Sequence, residues 1–248
     1  MCGRYTVLTE DEIIEIRGIL QELSLRIVRD DFDTVGDGAE TRASGEAGRS
    51  EVFPTNMAPV ILPAPGGVAF ESLKWGFKRF NGSGVIINAR CESLRSKGTF
   101  SDLLDIGRCI VPAAEFFEWQ DQSREGTMQR DSNSDVKKKK AKKKHHVKDK
   151  DGNLLFMAGL YRVCDDEREF VIITKNSTGE VSNIHDRVPV VLRADQIESW
   201  LNGKLAPDDL MNLDCDFSVI PCEEESDGNA SLIPGGKDEY GQISLFDS

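Results

Sequence analysis

The sequence predicts an α+β fold: a single domain of mixed, mostly antiparallel, barrel-like sheets with a few flanking helices. Three observations lead there. Short apolar or alternating runs, punctuated by Gly and Pro, recur along the chain as strands do. Helical periodicity is confined to three stretches. A chain of 248 residues with 39% hydrophobic content has enough apolar side chains for one sizeable core.

In chain order, residues 3–8 read as a short strand. It leads into a helix that opens at a capping box, Thr9-Glu10-Asp11-Glu12. Ile13, Ile16, Leu20 and Leu23 recur at helical spacing, which predicts a core-facing stripe. Residues 30–50, rich in Gly, Asp and Glu without periodicity, predict a mobile surface loop. Phe53-Pro54-Thr55-Asn56 is a turn into the buried strand around Val60-Ile61-Leu62. Further strands are predicted at 67–75, 84–87, 108–111, 154–161, 170–174 and 188–192, and helices near 100–106 and at 194–201.

Residues 120–150 interrupt this pattern. They are polar and of low complexity, and they hold nine lysines between Lys137 and Lys150, with His145 and His146 among them. Such runs predict a solvated insertion, with a phosphate-attracting arm as the functional reading. The folded domain is expected over 2–222, with this insertion inside it. Residues 223–248 are acidic and are expected to form a flexible tail.

The formal charge of −12 speaks against a nucleic-acid partner, because phosphate contacts dominate such binding. The charge is uneven, however. Basic residues gather at 74–95 and 137–150, so a local basic face is compatible with an acidic chain. The six cysteines (Cys2, Cys91, Cys109, Cys164, Cys215, Cys222) contain no CxxC pair, which argues against a zinc ribbon or a disulfide scaffold. No metal or other cofactor is expected. No apolar run approaches the roughly 20 residues that span a bilayer, and no secretory leader is visible. The expectation is a cytoplasmic, monomeric protein, nucleoid-associated if bacterial.

Cys2 carries the most chemistry. Removal of Met1 would leave a first residue bearing an α-amine and a thiol, which together can take an aldehyde as an imine and then close a thiazolidine. Both groups titrate near neutrality, at about 8 and 8.5. Such a nucleophile needs a proton shuttle, a hydrogen-bond donor and a substrate grip. His185 is the one histidine outside the lysine run and lies just before an apolar strand; its alternative is a satisfied surface histidine. Glu118 stands among Phe116, Phe117 and Trp119, where burial would raise its pKa; its alternative is a strand residue facing solvent. Asn88 follows an apolar strand and can bind the amine or a substrate oxygen. Arg90 offers a phosphate-matching fork, and Trp75 beside Lys78 and Arg79 suggests base stacking next to a charged backbone.

Taken together, these blocks resemble the SRAP (SOS-response-associated peptidase) family. The motifs are Met1-Cys2-Gly3-Arg4-Tyr5, Trp75-Gly76, Asn88-Ala89-Arg90-Cys91-Glu92, the segment from Pro112 to Trp119, and His185-Asp186-Arg187-Val188-Pro189. They stand in the family's order and span nearly all of residues 2–220. Glu115 replaces the usual Gly, Val188 the usual Met, and the 120–150 connection is longer than the family's.

The resemblance implies an SRAP-type domain that senses abasic sites in single-stranded DNA and cross-links to them. In that picture Cys2, Asn88, Glu118 and His185 are catalytic, and Arg4, Arg90 and Arg187 grip phosphates while Trp75 stacks a base. His185 would open the sugar ring and the Cys2 amine would form the imine. Glu118 would shuttle protons, the thiol would close the ring, and lyase-type chemistry would remain when it does not. Gln242-Ile243-Ser244-Leu245-Phe246 resembles a sliding-clamp docking peptide. The competing readings are a thiol autopeptidase, an N-terminal-nucleophile amidohydrolase and a DNA-binding adaptor in which Cys2 is incidental.

Overall fold

The computed structural model describes residues 2–31, 50–80, 82–121 and 142–222. Most of the predicted 30–50 loop, Lys137 to Lys140 of the lysine run, and the tail with Gln242–Phe246 lie outside the described residues.

The elements run β1 (Tyr5–Thr6), α1 (Glu10–Glu22), β2 (Ile27–Asp30), β3 (Glu51–Val52), β4 (Met57–Ala64), β5 (Gly67–Trp75), β6 (Phe77–Lys78), β7 (Val85–Ile86) and β8 (Asn88–Arg90). Then come α2 (Gly98–Ser101), α3 (Leu103–Ile106), β9 (Arg108–Ala113), β10 (Phe116–Asp121), β11 (Lys142–Asp149), β12 (Leu155–Cys164) and β13 (Glu167–Asn176). The order closes with β14 (Arg187–Pro189), β15 (Val191–Leu192), α4 (Ala194–Leu201) and β16 (Phe217–Pro221).

Strands β5, β4, β9, β12 and β13 pair antiparallel in that order. A parallel contact between β13 and β5, with Glu169 opposite Lys74 and Phe170 opposite Trp75, closes them into a barrel. A second sheet, in the order β16-β11-β10-β1-β3, packs against it. The barrel strands are buried on both faces, which is why they read as continuous apolar runs. One face of each (Ile61, Ile110, Phe156, Val171) joins Ile16 and Leu20 of α1 and Ile197 and Trp200 of α4 in one core. The other face (Val60, Val111, Met157, Ile172) joins Cys2, Tyr5, Phe116 and Val147 in a second core facing the five-stranded sheet.

The capping box of α1 is present: the Thr9 hydroxyl accepts the Glu12 N–H at 3.3 Å and the Glu12 carboxylate accepts the Thr9 N–H at 2.8 Å. Ile16 and Leu20 are buried as the stripe predicts. The helix expected near 100–106 is instead two single turns joined at Asp102.

The main correction concerns the lysine run. Residues 142–149 are not a solvated arm but strand β11, hydrogen-bonded to β10 on one side and β16 on the other. Alternation explains it. Val147 and His145 turn to the buried face, while Lys144, His146 and Lys148 find carboxylates on the other. Lys144 pairs with the buried Glu51, and His146 and Lys148 meet the buried Glu115 at 3.0 and 3.1 Å. Glu115 is thus neutralised by the strand that the long connection delivers.

Candidate active site

The site is built around the first described residue. Strand β1 lies between β3 and β10, and the Phe117 N–H donates to the Arg4 carbonyl at 2.9 Å. This suspends Cys2 in the second core, fully buried. The amide of Asn88 donates to the Cys2 carbonyl at 2.9 Å, and the thiol points to the Arg4 carbonyl at 3.6 Å. Burial, reinforced by the charge of Glu118, pushes the thiol pKa far up, so the sulfur is held as a neutral thiol.

Asn88 is fixed by β8, which runs parallel to β13 with Asn88 opposite Ile172. The preceding Ile87 carbonyl accepts the Trp75 indole N–H at 3.1 Å and the Ile172 N–H at 3.1 Å. Gly76 makes the tight exit from β5 that this requires. Its φ is +117°, and a Cβ there would stand 2.9 Å from the Val85 side chain. Among the described residues, the buried Oδ1 of Asn88 and the buried hydroxyl of Tyr5 have no hydrogen-bond partner.

Glu118 points from β10 into the same region and is 2% exposed. Burial pushes its pKa up to about 7. His185 Nε2 lies 3.9 Å from its carboxylate. The His185 backbone is set by its loop: its main-chain N–H donates to the Val181 carbonyl at 2.9 Å, and its main-chain carbonyl accepts the Ser177 hydroxyl at 2.6 Å. The Arg187 N–H donates to Nδ1 at 3.0 Å, which leaves the proton of the neutral ring on Nε2, facing Glu118. The Asp186 carboxylate also lies 3.0 Å from Nδ1, but that side chain is 75% exposed and can turn away, whereas the backbone N–H is fixed. Cys2, Asn88, Glu118 and His185 therefore converge.

Two of the residues predicted to hold DNA do not face solvent. Trp75 is fully buried, edge-on to Tyr5 at 5.1 Å and stacked on Phe170 at 6.4 Å. It is framework beneath Asn88, not a platform for a base. Arg187 is 5% exposed; its guanidinium takes both Glu92 oxygens, at 2.5 and 3.0 Å, and donates to Asn176 and the Thr174 carbonyl. It ties β14 to β13 and to the turn after β8, leaving no fork for a phosphate. Arg90, on the other hand, is exposed beside Asn88.

The aromatic face missed in the sequence is Trp119. It is half-buried, on the opposite face of β10 from Glu118, with the Arg4 guanidinium 5.0 Å from its ring and 4.5 Å from Phe53. Strand alternation carries the signal: if Glu118 points inward, its neighbour points outward. His145, read as part of an arm, is buried directly across from Glu118 in the β10–β11 pair. Among the described residues, no cluster of His, Cys, Asp and Glu could hold a metal, and no helix is long and apolar enough to cross a membrane.

Comparison with known proteins agrees with the motifs. The profile of the SOS response associated peptidase (SRAP) family matches residues 1–221. The abasic site processing protein YoqW of Bacillus subtilis is 30% identical over 226 residues, 86% of each chain. The abasic site processing protein YobE of the same organism is 30% identical over 226 residues, covering 86% of this chain and 88% of its own. A crystal structure of a protein from Bacteroides thetaiotaomicron superposes with a TM-score of 0.62 at 19% identity, over 88% of this chain and 92% of that one, which establishes the likeness of fold.

Proposed function

The chain belongs to the SOS response associated peptidase (SRAP) family, and on that premise we propose that it captures abasic sites in single-stranded DNA covalently through Cys2. The observation that carries the proposal is that Asn88 holds the Cys2 carbonyl, the charge of Glu118 acts on the Cys2 thiol, and His185 stands 3.9 Å from Glu118. The abasic site processing proteins among its relatives support the substrate class.

Each step of the proposal is assigned to one of these residues. With Met1 attached, the Cys2 nitrogen is an amide and cannot form an imine, so the working form begins at Cys2. His185 passes a proton to the ring oxygen of the abasic sugar and receives the one from the C1′ hydroxyl, giving the open aldehyde. The Cys2 amine adds to C1′; the hydroxyl of the resulting carbinolamine leaves as water with a proton from Glu118, and the Glu118 carboxylate takes back the nitrogen proton, giving the imine. The Cys2 sulfur then adds to that carbon and its proton goes to the imine nitrogen, closing the thiazolidine with no redox change. A carboxyl group titrating near 7 can both give and take protons at neutral pH. The amide of Asn88 keeps the terminus aimed throughout. Arg4 and Arg90 hold flanking phosphates, and the open face of Trp119 takes a base.

The test is a denaturing gel with abasic and intact single-stranded DNA, alongside intact-mass analysis. Wild type should shift only with the lesion and should lack Met1. Cys2→Ala should give no stable adduct, and an adduct at normal yield would sink the assignment. Lyase-type cleavage and docking of Gln242–Phe246 on a sliding clamp belong to the same proposal. Clamp affinity unchanged on deletion of residues 242–248 would dismiss the latter.

A further inference from the structure

We propose that Lys144 is a phosphate contact for single-stranded DNA and that the buried carboxylate of Glu51 sets its strength. The proposal deepens the DNA reading above and rests on it. Lys144 is opposite Trp119 in the β10–β11 pair, with its ammonium 3.9 Å from the centre of the Phe117 ring and 6.0 Å from that of Trp119. Arg4 approaches the same Trp119 at 5.0 Å. Both cations reach one carboxylate, Glu51, which is 2% exposed; Arg4 lies 3.5 Å from it and Lys144 is in direct contact.

A buried carboxylate requires a counter-charge, and one cation suffices. Two cations on one anion leave a net positive charge beside the open face of Trp119. The side chains of Arg4 and Lys144 are 38% and 25% exposed, so that charge is accessible to an anion. A positive groove edge next to a stacking aromatic is what a base and its own phosphate need together. Phe117 and Glu51 pin the ammonium, so less side-chain freedom is lost on binding than for a solvated lysine. Among the described lysines of the run, this places one in a defined position near the site.

The experiment measures binding of a lesion-free thymidine oligonucleotide by fluorescence anisotropy across a salt series. No covalent step enters, so its outcome is separable from the cross-linking assay. Lys144→Gln should weaken binding about three- to tenfold at low salt and make the log K against log salt slope shallower by about 0.7. Lys144→Arg should restore both. Glu51→Gln should move the other way, tightening binding, because it removes the shared counter-charge. A purely structural ion pair predicts no gain from Glu51→Gln, and this variant decides the matter even if Lys144→Gln proves unfolded by circular dichroism. An unchanged or weaker affinity for Glu51→Gln would overturn the proposal. So would an unchanged slope for folded Lys144→Gln, or no binding by wild type at low salt. If wild type binds as expected but fails to cross-link abasic DNA, the reading above fails and the Lys144 contact stands.

Discussion

The two cores share strands but not chemistry. The face of β4, β9, β12 and β13 under α1 and α4 buries Ile61, Ile110, Phe156 and Val171 against aliphatic and aromatic neighbours. The opposite face buries Cys2 and Tyr5, with Glu118 beside them. Burial that simply stabilises on the helix side raises a thiol and a carboxyl pKa on the other. The helix-side core supplies the surplus stability that lets the second one hold poorly solvated polar groups, the usual trade between stability and function. Separating the two by mutation is the way to test this division.

Cys2→Ala gives the largest separation. Loss of the amine–thiol pair should remove all stable adduct on the denaturing gel while the melting temperature stays near that of wild type. Leu20→Ala on the other core should do the reverse, costing about 2–5 kcal/mol by chemical denaturation, with normal cross-linking per folded molecule. If Leu20→Ala also lost adduct in proportion beyond its unfolded fraction, the two cores would not be separable.

Glu118→Gln comes next. Loss of a positioned proton carrier should slow adduct formation by about 10²–10⁴. The same variant tests the shifted pKa. The Glu118 pKa is raised in the folded state from 4.5 to about 7, so folding takes up a proton between those values. The associated stability is fully present below about 4.5 and is lost as pH rises through about 7. Wild type should therefore melt progressively lower across that window, whereas Glu118→Gln should show a flatter profile. Parallel profiles for the two proteins would remove Glu118 as a titrating group.

What the sequence made legible follows the same division. Apolar periodicity exposed α1, α4 and the barrel strands, because both faces of those strands are buried and each run is long. The four site residues were legible for different reasons: Cys2 from its amine–thiol chemistry, His185 as the one histidine outside the lysine run, Glu118 as a carboxyl among aromatics, and Asn88 as a polar residue ending an apolar strand. The lysine strand was not legible. Composition predicts solvation for Lys142 to Lys150, whereas the distant Glu51 and Glu115, brought alongside by folding, supply counter-charges for Lys144, His146 and Lys148. Trp75 and Arg187 misled for a related reason: an aromatic beside cations, or an arginine in a motif, looks the same in sequence whether it faces DNA or its own fold. Burial separates the two cases, and burial is a tertiary property.

Arg187 tests that distinction in stability. Arg187→Met should cost about 2–3 kcal/mol, because it strips hydrogen bonds from the Thr174 carbonyl and Asn176, while the Glu92 left behind is 36% exposed and can rehydrate. DNA affinity of the folded fraction should hardly change.

Arg90→Gln should show the opposite signature and the smallest effect. Arg90 is exposed, its side chain lies outside both cores, and surface substitutions of this kind move stability by about 0.5 kcal/mol or less. Its neighbour Asn88 remains anchored through β8 and the Ile87 carbonyl, so the reactive terminus stays in place. On the proposed function, what is lost is one guanidinium assigned to the phosphates flanking the lesion. Single-strand binding should therefore lose about 0.7 from its salt slope, and the cross-linking rate should fall at low DNA concentration but recover at saturation. A drop that persists at saturating DNA would mean that Arg90 acts on the chemical step itself, and the grip and the reaction centre would then be one site rather than two.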